Sequence, residues 1–319
     1  MVTTLSALVS IAGILGMSLG ADKTETAAVF AQSVAAAHSE TEHHGLPCLG
    51  RLGDDRLLLV WSAYPPNTSS FRVVGAFSTD QGRSWSAPQT LLDDPNALDA
   101  DANIVVSGAR VLVTCTRVDF SQGIRTSATW CVRSEDNGVT WSAPYDIPMR
   151  HRYTCGKCQR GIRLTSGTLL MGYSWDVACE SGKALQSEGE MDLRAGVMRS
   201  TDSALTCTNG GHTTAAYEKV AGGAVRGTDE PAIVELADGS LYMLMRTGST
   251  HLYEARSNDE GVSWRDIQPS PLLGTNAPAS LCAVTVDGKQ GVVAVWDNAP
   301  DRFPLCAAIS FDGCRTWSA

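Results

Sequence analysis

The chain has 319 residues, 43% hydrophobic and 18% charged, with a formal net charge of −9. Such a composition excludes a disordered chain, and 30 Gly with 13 Pro exclude a collagen-like fibre. The pI near 5.1 lacks the basic footprint of a nucleic-acid binder, so an anionic ligand could be met only by a local cluster of Arg or Lys.

Leu5 to Ala21 is an uncharged apolar run, short for a membrane span and ending in the small residues Ser18, Gly20 and Ala21. It predicts a signal peptide over residues 1–21 and a secreted or periplasmic product without stable membrane insertion of the mature domain. No Lys or Arg precedes the run, so a short anchor and a misplaced start codon stay open as other readings. Residues 22–44 read as a polar, Ala-rich tail, and residues 45–319 as the domain. The adjacent His43 and His44 lack the separated ligands of a closed metal site, and no cofactor is expected.

From residue 78 onward one octet recurs roughly every 55–65 residues, which marks a repeat architecture. The copies run Ser78-Thr-Asp80-Gln-Gly82-Arg-Ser84-Trp85, Ser134-Glu-Asp136-Asn-Gly138-Val-Thr140-Trp141 and Ser257-Asn-Asp259-Glu-Gly261-Val-Ser263-Trp264. A further copy, Ser310 to Trp317, has Cys314 in place of Gly, and a decayed one, Ser200 to Cys207, has lost both Gly and Trp. Between octets lies a turn followed by an apolar strand, as in Gly53-Asp-Asp-Arg-Leu57, Ser107-Gly108, Ser166-Gly167, Asp238-Gly239 and Asp287-Gly288. Each period therefore holds about four short strands, and units of about four strands repeated radially build a β-propeller. Within the octet, Asp and Ser can satisfy turn N–H groups, Gly supplies a positive φ, and Trp supplies apolar surface. The octet Asp residues are expected to be structural, because a repeated residue suits a repeated structural role.

These octets resemble the Asp-box, or bacterial neuraminidase repeat, of the sialidase superfamily. The resemblance spans about Gly45 to Ala319 and implies an all-β, six-bladed propeller with its Asp-boxes away from the active site. Five octets, with no sixth, predict a chain truncated to about five blades. The segment Gly227-Thr-Asp-Glu230-Pro231 to Arg246 looks like the sialidase hairpin in which Glu serves as base for a tyrosine nucleophile and Arg belongs to a triad holding the sialic acid carboxylate. Two strands joined at Asp238-Gly239 return Glu230 to the side of Arg246, and an Arg fork suits a carboxylate. A purely structural ion pair between the two is the other reading. By the same resemblance Arg302, ahead of Pro304-Leu305, is a candidate triad member, and Arg160 a further pocket candidate.

The match has gaps. Gly45, in His44-Gly45-Leu46-Pro47, stands where the family carries its first triad Arg, and the loop Ser62 to Ser70 lacks the family's acidic residue. Asp101 is the candidate replacement acid, with a turn role as its rival. The nucleophilic Tyr is expected beyond Ala319, and Tyr64, Tyr153, Tyr173 and Tyr253 are expected to be structural or sugar-stacking. Cys155-Gly-Lys-Cys158 is a lone pair, a weak metal signal, and Cys115 and Cys131 are candidates for a disulfide. The resemblance implies a monomeric exo-glycosidase acting on sialylated or related acidic glycans. Its rival is a non-catalytic glycan-binding propeller.

Overall fold

The computed structural model describes residues 35–37, 39–68, 70–119, 126–148, 154–155, 159–176, 193–202, 208–212, 227–274, 277–298 and 305–318. The signal-peptide run, Tyr153, Cys158 and Arg302 lie outside the described residues.

Five antiparallel sheets follow one another along the chain as five blades of a β-propeller. The first blade is β1 (His43–Arg51), β2 (Leu57–Tyr64), β3 (Arg72–Ser78) and β4 (Gln89–Leu92), paired in that order. The second is β5 (Ala97–Ser107), β6 (Arg110–Asp119), β7 (Thr126–Ser134) and β8 (Tyr145–Ile147). In the third, β10 (Ile162–Arg163), β11 (Leu169–Asp176), β12 (Leu193–Ser200) and β13 (Thr208–His212) form the path, and β9 (Thr154–Cys155) adds to β11. The fourth is β14 (Asp229–Glu235), β15 (Leu241–Arg246), β16 (His251–Ser257) and β17 (Arg265–Leu273). The fifth holds β18 (Ser280–Val286), β19 (Lys289–Asp297) and β20 (Leu305–Ser310). Neighbouring blades touch through their first strands, β1 with β5, β5 with β10 and β14 with β18, and through β11 of the third blade with β14.

The apolar cores lie between blades. Leu58, Val60 and Val73 of the first blade pack with Ile104, Val111 and Val113 of the second. Met171, Tyr173 and Trp175 pack back onto Val105 and Leu112, while Leu170 and Val197 pack forward onto Ile233 and Met243. Tyr242 and Leu244 meet Leu281, Val292 and Trp296 of the fifth blade. Second strands are therefore covered on both faces. This is why Leu57–Ala63 is a continuous buried run and not an alternating one.

Four of the octets are closed hydrogen-bond devices among the described residues. In the second blade Gly138 N donates to Ser134 Oγ (2.7 Å), Ser134 Oγ to Asp136 Oδ1 (2.7 Å), Thr140 N to Asp136 Oδ1 (2.9 Å) and Thr140 Oγ1 to Asp136 Oδ2 (2.6 Å). The same bonds recur around Asp80, Asp259 and Asp312. Bonds from the following hydroxyl and N–H hold the Asp80 and Asp136 carboxyls down to about 2. Cys314, at the glycine position of its octet, takes φ 64°, so it accepts there a strain that glycine avoids. Three octet tryptophans plug the interfaces between blades: Trp141 packs on the core of blades one and two, Trp264 on that of three and four, and Trp317 on that of four and five. Arginines also reach across to the next blade's octet turn, Arg56 to the Asn137 carbonyl (2.8 Å) and Arg199 to that of Glu260 (2.8 Å).

The cysteine expectation needs correction. Cys115 and Cys131 are not joined to each other in a disulfide. Cys131 lies across from Thr114, so its side chain points to the opposite face from Cys115, one into each neighbouring core.

Candidate functional site

The Asp-Gly turns and octets sit at one end of the propeller. In the fourth blade β15 begins there, with Leu241 paired to Ser257 of the octet, and ends at Arg246 on the far side. At that far end three inner strands carry the same irregularity. The pairing of β1 with β2 shifts between Gly45 and Cys48, that of β5 with β6 between Ala100 and Asn103, and that of β14 with β15 between Asp229 and Ala232. Each bulge holds one non-glycine residue at positive φ: Leu46 at 55°, Asp101 at 54° and Glu230 at 42°. Such conformations cost on the order of 1–3 kcal/mol each and cluster where a site needs a side chain re-aimed.

Glu230 and Arg246 form a buried pair at this end. Arg246 Nη1 donates to Glu230 Oε2 at 2.7 Å, and the two side chains are only 10% and 12% exposed. The Glu230 amide donates to Ser174 Oγ (2.9 Å) and to Asp229 Oδ1 (2.8 Å). Burial, followed by the charge of Asp229, raises the Glu230 carboxyl to about 7 against the pull of Arg246, and Asp101 adds a smaller push. A carboxyl titrating near neutrality both accepts and returns a proton under mild conditions. Asp101 accepts a hydrogen bond from Thr116 Oγ1 (3.0 Å), which fixes its carboxylate at the second blade's bulge.

The pH dependence of folding follows. A carboxyl raised from 4.5 to about 7 binds its proton more tightly in the folded chain. Stability from this group is full at acid pH and falls as pH rises between those two values. Glu230→Gln, which stays neutral, is expected to flatten that part of a melting-temperature profile. An unchanged slope in the variant would show that another group sets it.

Arg160 meets the fifth blade. The segment Gln159–Gly161 is pinned to the second blade by bonds with Asn103, and Gln159 pairs with Ser280 Oγ (2.7 Å). The Arg160 guanidinium is exposed beside Cys282 Sγ, at 3.7 Å. At Gly45 an added β-carbon would come within 3.7 Å of the Tyr64 hydroxyl. Tyr64 stacks on Phe71 (4.3 Å between centroids) and meets His43 edge-on. An aromatic group thus occupies the first-blade corner where the family resemblance puts an arginine.

Sequence reasoning missed Asp229, Ser174 and a second buried pair. In that pair Arg117 holds fully buried Asp99 through two bonds of 2.7 Å, reaches Asp94 at 2.9 Å and covers the Trp130 ring at 4.2 Å. A carboxylate facing an arginine in β-rich sequence was the available signal for Asp99 and Arg117; Ser174 carried none. Among the described residues no group of three or more His, Cys, Asp or Glu could hold a metal, and no helix is long and apolar enough to cross a membrane.

Residues 102–319, more than half of the chain, match the BNR repeat-like domain family. A curated relative, the anhydrosialidase of Macrobdella decora, is 34% identical over 87 residues, 26% of this chain and 11% of that protein. Among solved structures, Trypanosoma rangeli sialidase in complex with the inhibitor DANA has a TM-score of 0.67 at 17% identity, covering 85% of this chain and 47% of that one. A protein of unknown function from Dyadobacter fermentans superposes with a TM-score of 0.70 at 14% identity, over 88% of this chain and 83% of that chain. The chain thus spans a small part of the curated relative and about half of the trypanosomal sialidase. It belongs to the BNR repeat-like domain family, and its fold is the sialidase-type propeller.

Proposed function

We propose that this protein is an exported sialidase-type glycosidase that removes terminal sialic acid, or a related acidic sugar, from glycans. The observation that carries the reading is the Glu230–Arg246 pair, raised by a strained bulge at the end of the propeller opposite the octets. Glu230 is the proton acceptor for the nucleophile, and its near-neutral titration suits that exchange. Arg246 grips the substrate carboxylate, with Arg302 and Arg160 as further anion-binding residues. Asp101, on the neighbouring bulge, is the acid. The relatives named sialidase and anhydrosialidase support the substrate class, and the apolar run at residues 5–21 supports export.

The second reading, a glycan-binding propeller without turnover, is favoured by one observation. At the first-blade corner Gly45 and Tyr64 replace an arginine, which leaves the site fewer cationic groups for a carboxylate. A fluorogenic sialoside given to the whole gene product separates the two. Turnover that disappears in Glu230→Gln supports the enzyme. Retention without turnover supports the binding module, and neither retention nor turnover overturns both.

A further inference from the structure

We infer that Gly172 and Ser174, on the neighbouring blade, are positioning residues that seat the Glu230-Pro231 bulge. Alternate residues of β11 serve different blades. Met171, Tyr173 and Trp175 pack into the core shared with the second blade, whereas Leu170 packs into the core shared with the fourth. Gly172 and Ser174 continue the Leu170 face toward the Arg246 end of the propeller. That face loses its side chain and then gains a hydroxyl just where the bulge meets it.

The contacts account for both residue types. A β-carbon on Gly172 would stand 2.6 Å from the Pro231 carbonyl oxygen and 2.9 Å from its Cγ, so only glycine admits the bulge at this distance. Ser174 is fully buried, and its Oγ accepts the Glu230 amide at 2.9 Å. An amide turned out of the ladder by a bulge would otherwise lose its interstrand partner, and a buried N–H without one is costly. Asp229 Oδ1 supplies the second acceptor, but it rides on the bulge itself and cannot anchor it to the neighbouring blade. Positive φ at Glu230 persists only if its surroundings over-determine it. β11 provides that constraint, and it thereby aims the carboxyl at Arg246.

The role in turnover rests on the sialidase-type reading, whereas the seat itself can be tested without it. The test uses Ser174→Ala, Ser174→Thr and Gly172→Ala in the full chain, with two readouts. One is the titration of the Glu230 carboxyl by carbon NMR, among its charged neighbours Asp229, Arg246 and Asp101, with Asp176 two residues beyond Ser174 on β11. The other is sialoside kinetics. In Ser174→Ala the bulge loosens and the carboxyl gains water, so its midpoint is expected to move down from about 7 toward the ordinary carboxylate range. The rate constant kcat is expected to fall about tenfold or more with KM changed less than about threefold. Ser174→Thr keeps the acceptor oxygen and is expected to restore both.

An unmoved midpoint in Ser174→Ala overturns the proposal, as does a moved midpoint with wild-type kcat. If Gly172→Ala does not fold, the two Ser174 variants decide alone. If the wild type neither binds nor turns over the sialoside, the sialidase reading falls, and the midpoint alone then judges the seat.

Discussion

Arg246→Ala is expected to weaken retention of a sialoside by about 10- to 100-fold, the worth of hydrogen bonds to a charged group. It is also expected to change stability in a pH-dependent way. Arg246 is the counter-charge of a carboxyl that is 12% exposed. Removing one member of a buried pair ordinarily costs about 3–5 kcal/mol, because the other charge is left uncompensated. Glu230 has an escape, since its carboxyl already titrates near 7 and losing the arginine raises it further. At about pH 5 Glu230 is neutral with or without the arginine and the variant loses little, whereas at about pH 8 the folded variant must hold a proton that the unfolded chain has shed, and the loss is larger. Urea unfolding at the two pH values measures this difference. An equal loss at both would mean that Glu230 does not depend on Arg246 for its charge.

Arg117→Ala is expected to cost about 3–5 kcal/mol. Asp99 is fully buried, and the arginine fork holds both of its oxygens at 2.7 Å. The same guanidinium reaches Asp94 and lies over Trp130, so three groups lose a partner together. Lysine at this position is not expected to rescue stability, because a point charge cannot make the two parallel bonds or the stacking contact. Chemical denaturation of Arg117→Ala and Arg117→Lys checks the claim, and a loss below about 1 kcal/mol in both would refute it. The pair lies beside the Asp101 bulge, with Asp99 two residues before it on β5. Its loss is therefore expected to disturb that corner of the site as well as the fold.

Much of this molecule was legible before any coordinates. The octets specified the blades because every bond in the device closes within eight consecutive residues, as around Asp136. The Asp238-Gly239 turn likewise brought Glu230 to Arg246, because a hairpin register is a local property of two adjacent strands. Local chemistry of this kind survives in a single sequence.

Contacts between blades did not. Ser174 meets Glu230 from a strand 56 residues away. Nothing in Tyr173-Ser174-Trp175 distinguishes a seat from an ordinary buried serine. The candidate disulfide between Cys115 and Cys131 failed for a similar reason, since sequence proximity of two strands does not reveal which face each thiol takes. Tyr64 beside Gly45 was also hidden, because an aromatic residue at a strand end has no spacing signature.

The sequence by itself determined the repeat, the strand-rich blades, the structural role of the octet Asp residues and the pairing of Glu230 with Arg246. The tertiary structure alone decided how that pair is held. It placed three strained bulges at one end, buried Glu230 until its carboxyl rose toward neutrality, and set Gly172 and Ser174 of another blade against it. The reason is physical: desolvation and interblade packing depend on atoms brought together from distant parts of the chain, whereas turns and hairpins depend on neighbours.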